Sequence, residues 1–176
     1  MTIPFVDLKT QYESLKPQIQ ERINRVLEHG QYIMGPEVEE LESMLANFTG
    51  AKYCITVASG TDALLISLMA LGIGPGDEVI TPSFTYIATT EVMALLGLTP
   101  VFVDVDETTL QVQINELEKL LKTGSIKAML FTHVYGRPEN VIELEHLSLK
   151  YKVDLFFDAS HCVGVSHLGK SIFEYG

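Results

Sequence analysis

Cysteine is scarce in this sequence: Cys54 and Cys162 are the only two, and they do not form a CxxC pair. Both stand among apolar or small residues, which reads as two reduced, buried thiols of a cytosolic protein rather than a disulfide scaffold. Basic residues are also few. Twelve Lys and Arg against 23 Asp and Glu leave a net charge of −11. No basic run occurs, so a nucleic-acid partner is not expected, and the acidity disfavours an anionic membrane. No apolar run approaches the length of a membrane span. The stretch from Met1 to Asp7 has neither the basic start nor the apolar core of a signal peptide, so a cytoplasmic setting is expected. The histidines His133, His161 and His167 lack HxxxH spacing, and no cysteine completes a set with Asp158, so no metal site is expected. The GxxxxGK(S/T) fingerprint of a P-loop is absent. So is GxGxxG, which argues against a Rossmann dinucleotide site.

What is present points to an α/β domain. The chain has 176 residues, enough for one domain with a real core. Hydrophobic residues make up 47% and the mean hydropathy is +0.21. Such richness fits a sheet buried on both faces, and equally a piece of a larger protein that has lost a covering partner. Positions 1–50 read as helical. Leu8, Tyr12, Leu15, Ile19, Ile23 and Val26 form one apolar stripe that Gly30 would stop, with Pro17 starting or kinking the helix. A second helix starts at Pro36 and is expected to bury Val38, Leu41, Leu45 and Phe48.

From position 51 to 176 the pattern alternates. Strands are expected at 53–57, 78–81, 101–105, 128–132 and 153–157. Helices are expected at 61–71, 86–96, 115–122 and from 141 to 151. This alternation predicts a mostly parallel sheet flanked by helices. Ligands in such sheets gather at the carboxyl ends of the strands. Those ends carry Ser59-Gly60-Thr61, Thr81-Pro82-Ser83, Asp104, His133 and Asp158.

Three of these segments could carry chemistry. At Ser59-Gly60-Thr61 a glycine precedes a helix whose free N–H groups could receive a phosphate; an ordinary helix cap by Ser59 or Thr61 is the alternative. Tyr86 follows a strand end and could stack on a flat heterocycle, or could pack into the core as a helix-start aromatic. Asp158 closes an apolar strand. Its carboxylate needs a cationic or hydrogen-bonding partner, such as a pyridinium nitrogen, unless it caps the next element.

Taken in order, the motifs resemble the DegT/DnrJ/EryC1/StrS family of nucleotide-sugar aminotransferases. The likeness runs through Phe5-Val6-Asp7-Leu8, Gly30 to Glu37, Ser59 to Leu64, Gly74 to Pro82, Pro100 to Val105, His133-Val134-Tyr135-Gly136, Asp158-Ala159-Ser160-His161 and Gly169-Lys170. The resemblance implies a fold-type-I PLP-transferase large domain at 51–176, incomplete and without the small C-terminal domain. It implies pyridoxal 5'-phosphate (PLP) as cofactor, with Gly60 and Thr61 at the phosphate, Tyr86 over the ring, Asp158 at the ring nitrogen and His161 near the 3-hydroxyl. The reaction implied is amino transfer, typically from glutamate, to a nucleotide-linked keto-sugar in surface-polysaccharide or secondary-metabolite synthesis, by a homodimer. The family's Schiff-base lysine is expected beyond Gly176, since Lys170 falls in the Gly-Lys hairpin stretch. A non-catalytic remnant that binds PLP or pairs with another subunit is the alternative. Arg137 stands where many relatives have Gln, and the His-x-Tyr-Gly wording points toward 3-amino sugars.

Overall fold

A computed structural model describes residues 5–176; the first four residues of the stretch from Met1 to Asp7 lie outside them. Contacts divide the chain into two units, Met1–Asn47 with Lys52–Thr56, and Phe48–Ala51 with Val57–Gly176.

The first unit is built on two helices, α1 (Leu8–His29) and α2 (Pro36–Thr49). Asp7 caps α1, accepting from the Thr10 N–H at 3.0 Å, and Gly30 ends it with φ 70° and its N–H on Val26 O. Pro17 sits inside an unbroken α1. The ion pairs between the helices hold their polar sides: Arg22 grips Glu40 with both terminal guanidinium nitrogens, and His29 Nε2 lies 3.0 Å from Glu37. The apolar stripe of α1 is real, yet none of its residues is buried. Leu41 and Phe48 of α2, expected inside, are 48% and 67% exposed. Periodicity marks which face is apolar; it does not supply what covers it.

The expected strand at 53–57 does not form. Tyr53 and Ile55 stay largely exposed, and Thr56 instead donates its N–H to Glu42 at 2.7 Å. A strand exists only by pairing, and the described residues offer this segment no neighbouring strand.

The second unit carries a four-stranded parallel sheet. Its strands are β1 (Glu78–Pro82), β2 (Thr99–Val103), β3 (Ile126–Thr132) and β4 (Asp154–Asp158), in the order β2-β1-β3-β4. One helix, α3 (Gly60–Ala70), precedes β1, and three connect the strands: α4 (Ala88–Leu95), α5 (Ile114–Leu121) and α6 (Val141–Tyr151). Successive side chains of a strand face opposite sides. Accordingly, Ile80, Met129 and Phe131 pack with Leu117 of α5 and Leu144 of α6. Val79, Ala128 and Leu130 pack with Leu68 of α3 and Val92 of α4. From Ala128 to Phe131, β3 therefore reads as a continuous apolar run, as a central strand covered on both faces must. β2 begins two residues earlier than its apolar run suggests, at Thr99, because it pairs in register with Glu78 to Pro82 of β1. Pro100 is tolerated there because β2 is an edge strand.

After β4 the chain makes a short hairpin, β5 (Ser166–His167) and β6 (Lys170–Ser171), and a 3-10 turn at Ile172–Glu174. Cys162 packs with Val141 and Ile172 and is fully buried. Cys54 is only half-buried, short of the expectation for it; both thiols are free.

Candidate active site at the strand ends

The strand order reverses between β1 and β3. β2 lies on one side of β1, and the chain then crosses back to β3 on the other. Strand ends at such a switch point splay apart and leave a crevice. A cavity of about 330 Å³ lies beside it. Gly60, Thr61 and Leu64 wall it from α3, Tyr86 and Ala88 from the start of α4, and Thr132 and His133 from the end of β3. Asp158, Ser160 and His161 wall it from the end of β4. All five residues singled out in the sequence for a cofactor, Gly60, Thr61, Tyr86, Asp158 and His161, are thus brought to one cavity.

The first turn of α3 forms one wall. Ser59 is its N-cap, extended at φ −158°, with its side chain accepting from the Asp62 N–H at 3.1 Å. The capping alternative is therefore realised by Ser59. The N–H groups of Gly60 and Thr61, in the same turn, have no intrahelical acceptor. A side chain at Gly60 would meet only Ser160 Oγ, at 3.6 Å from its Cβ, so the protein itself leaves room there.

Tyr86 is 67% exposed, which overturns the core-packing alternative for it. Its segment is tied down by hydroxyls: Thr85 Oγ1 lies 2.8 Å from Thr132 Oγ1 at the end of β3. Thr89, on the first turn of α4, joins the same buried group at 3.4–3.5 Å.

Asp158 is buried. Its Oδ1 accepts from the Ser160 N–H at 3.0 Å and from Ser160 Oγ at 2.6 Å. Among the described hydrogen bonds, Oδ2 accepts none. The carboxylate does cap the following turn, as one alternative held, but with one oxygen only.

His133 was recognised in the sequence as a strand-end residue without a role. It is 1% exposed, and its ring stacks on Phe157 at 4.6 Å between centroids. Its Nδ1 accepts the Glu139 N–H at 3.1 Å, while its Nε2 is buried without a partner. Burial pushes its pKa down to about 4, against an opposing pull from the Asp158 carboxylate. Thr132 and Ser160 carry no assigned role in the sequence; the only signal for either is its closeness in the chain to His133 or Asp158 at a strand end. His161 is held from below, since Gly136 packs against its carbonyl so closely that a Cβ would stand 2.9 Å from the oxygen.

Other candidates lie elsewhere. Lys170 is on the β5–β6 hairpin, near the Tyr175 ring, and no lysine lines the cavity. Arg137 donates to Thr109 O at 2.7 Å. Among the described residues no three acidic, His or Cys side chains are grouped to hold a metal ion, and no helix is long and apolar enough to cross a membrane. In the first unit a larger groove of about 500 Å³ runs along α1 and α2, lined by Ile23, Leu27, Leu41 and Met44. Its charged residues are engaged in ion pairs, Arg22 with Glu40 and Glu37 with His29 and Arg25.

Comparison with known proteins agrees with this geometry. The model of the DegT/DnrJ/EryC1/StrS aminotransferase family matches residues 13–176. UDP-2-acetamido-2-deoxy-3-oxo-D-glucuronate aminotransferase of Pseudomonas aeruginosa is 50% identical over 168 residues, which cover 96% of this chain and 46% of that protein. dTDP-3-amino-3,6-dideoxy-alpha-D-galactopyranose transaminase of Aneurinibacillus thermoaerophilus is 38% identical, over 99% of this chain and 48% of that one. Among solved structures, Streptomyces venezuelae DesV in complex with a ketimine intermediate superposes with a TM-score of 0.89 at 38% identity, over 97% of this chain and 46% of that one. The chain spans about half the length of the curated relatives it matches. With the parallel sheet, its flanking helices and the strand-end cavity in place, the chain belongs to the DegT/DnrJ/EryC1/StrS aminotransferase family and has the α/β fold of the fold-type-I PLP enzymes.

Proposed function

We propose that this chain supplies the cofactor-binding part of a PLP-dependent aminotransferase that transfers an amino group, from a donor such as glutamate, to a nucleotide-linked 3-keto-sugar. The observation that carries this reading is the half-satisfied carboxylate of Asp158. Ser160 fixes one oxygen by two hydrogen bonds, and the other is left for a ligand. A buried carboxylate with an open oxygen calls for a cationic donor, and a protonated pyridine nitrogen is one.

The remaining walls fit the same molecule. The first turn of α3 presents N–H groups and the positive end of a helix to a phosphate. Tyr86 is exposed enough to lie against a flat ring. The cavity volume, about 330 Å³, suits a small cofactor. When bound, PLP supplies an electron sink for carbanion chemistry. Asp158 keeps the proton on the ring nitrogen, on which that sink depends. Gly60 and Thr61 would hold the phosphate, His161 would lie on the side of the 3-hydroxyl, and Tyr86 would cover the ring and exclude water. Transfer to carbon 3 is supported by the two relatives described above, whose names place the amino or oxo group there.

The test is a single turnover. The full enzyme, this chain together with the lysine-bearing part that the family resemblance implies, is loaded with pyridoxamine 5'-phosphate, mixed with a UDP- or dTDP-linked 3-keto-sugar, and the sugar product is weighed by mass spectrometry. A 3-amino sugar from the wild type and none from Asp158→Asn is expected. Equal product from both would remove Asp158 from the ring nitrogen, and no product from a wild type shown to be loaded would refute the acceptor class.

A further inference from the structure

The cavity wall contains one buried donor with nothing to donate to. A neutral imidazole carries a single N–H. His133 Nδ1 accepts from the Glu139 N–H, so the proton resides on Nε2. That nitrogen is buried and unpartnered. Native proteins rarely leave a buried donor unmet, because its lost hydration is not returned. The ring is stacked on Phe157 with 24° between the planes.

Asp158 is an acceptor at the neighbouring strand end and lines the same cavity. Thr132 and Asp158 are register partners across β3 and β4, and the His133 N–H donates to Asp158 O at 3.0 Å. The Asp158 carboxylate is the charge that pulls the imidazole toward protonation; burial and His167 act the other way. Ser160 occupies Oδ1 twice, whereas Oδ2 has room for two donors.

We propose that His133 is a positioning residue for Asp158, its Nε2–H closing onto Oδ2 when a cationic ring nitrogen binds the same oxygen. This rests on the reading of the cavity as a PLP site. Four donors then surround the carboxylate: two from Ser160, one from His133 and one from the ligand. Hydrogen bonds to the charged form favour it, so the carboxylate stays ionised and the ring nitrogen stays protonated. Because the imidazole is itself held neutral, it adds a donor without adding a second positive charge beside the ring.

The experiment uses the whole chain, labelled with 15N-histidine, and pyridoxamine 5'-phosphate, which needs no lysine to bind. Long-range 1H–15N spectra should show His133 protonated on Nε2 in the free protein, with that proton moving downfield on addition of the ligand. His133→Gln, which keeps a side-chain N–H, should bind within about threefold of the wild type. His133→Phe, which keeps a ring against Phe157 but no donor, should bind roughly tenfold more weakly, as expected for one hydrogen bond to a charged group. The bound ring nitrogen should also lose its proton at lower pH in His133→Phe, read from the ligand's ultraviolet spectrum. Unchanged affinity and unchanged ring titration in His133→Phe would overturn the proposal, as would a proton found on Nδ1. If the wild type binds no pyridoxamine 5'-phosphate, the PLP reading fails and the closure onto Oδ2 fails with it, whereas intact binding with an unmoved Nε2–H signal overturns the role of His133 alone. That wild-type comparison also decides the matter if His133→Phe does not fold.

Discussion

Replacing Gly136 by alanine imposes two separable costs. The first is conformational: Gly136 sits at φ +74°, in the left-handed region, where a side chain costs about 1–2 kcal/mol. The second is steric. The new Cβ would stand 2.9 Å from the carbonyl oxygen of His161, a backbone atom that cannot swing aside. Overpacking of this kind adds about 1–3 kcal/mol. Gly124 provides the control, because it has nearly the same φ of +79° and nothing within 4 Å of its would-be Cβ. Gly124→Ala should therefore cost only the conformational part, and Gly136→Ala about 1–3 kcal/mol more. Urea unfolding measures both, read as a shift in midpoint at constant slope. Gly136→Ala should also weaken binding of pyridoxamine 5'-phosphate, since the strained corner carries His161 with it, whereas Gly124→Ala should not. Two variants equal in stability to within about 0.5 kcal/mol would show that the close approach of the β3 corner to His161 is wrong.

Two further outcomes follow from burial. His133 has an ordinary value of 6.5 and is pushed down to about 4 in the folded protein by burial. Above pH 6.5 neither state binds the proton; as pH falls from there toward 4 only the unfolded state does, so folding loses stability, by about 3 kcal/mol once below both values. Glu139, raised by its burial, works in the opposite direction, so the readout is the difference between wild type and His133→Gln in unfolding free energy at pH 7 and pH 4. The wild type should lose more, and identical pH profiles would contradict a buried neutral imidazole. In the sheet, Phe131→Ala removes a fully buried ring from central β3 and should cost about 3–5 kcal/mol. Phe102→Ala on edge strand β2, where the ring is 54% exposed, should cost less than about 1 kcal/mol; denaturant midpoints that reversed this order would contradict the strand order.

The parts of this fold that sequence reveals are those governed by local rules. Apolar runs fixed by burial on two faces marked β1, β3 and β4, and Gly30 and Pro36 marked helix ends because their backbone geometry admits few substitutes. Asp158 and the first turn of α3 were legible because carboxyl ends of parallel strands are where ligands meet the sheet. What depends on a neighbour was not legible. Tyr53 to Val57 has the composition of a strand but no partner strand among the described residues, and the stripe of α1 says nothing of its cover. His133 stood in plain view at a strand end. Its tautomer, however, is set by the Glu139 N–H and its isolation by Phe157, contacts that only the folded corner creates.

The central claim is that the strand-end cavity holds PLP with its phosphate on α3 and its ring nitrogen on Asp158. A crystal structure of the protein soaked with pyridoxamine 5'-phosphate tests it most directly. The account predicts the phosphate at the N–H groups of Gly60 and Thr61, the ring against Tyr86 and the ring nitrogen within hydrogen-bonding reach of Asp158 Oδ2. A phosphate bound elsewhere, or a ring nitrogen turned away from Asp158, would contradict it.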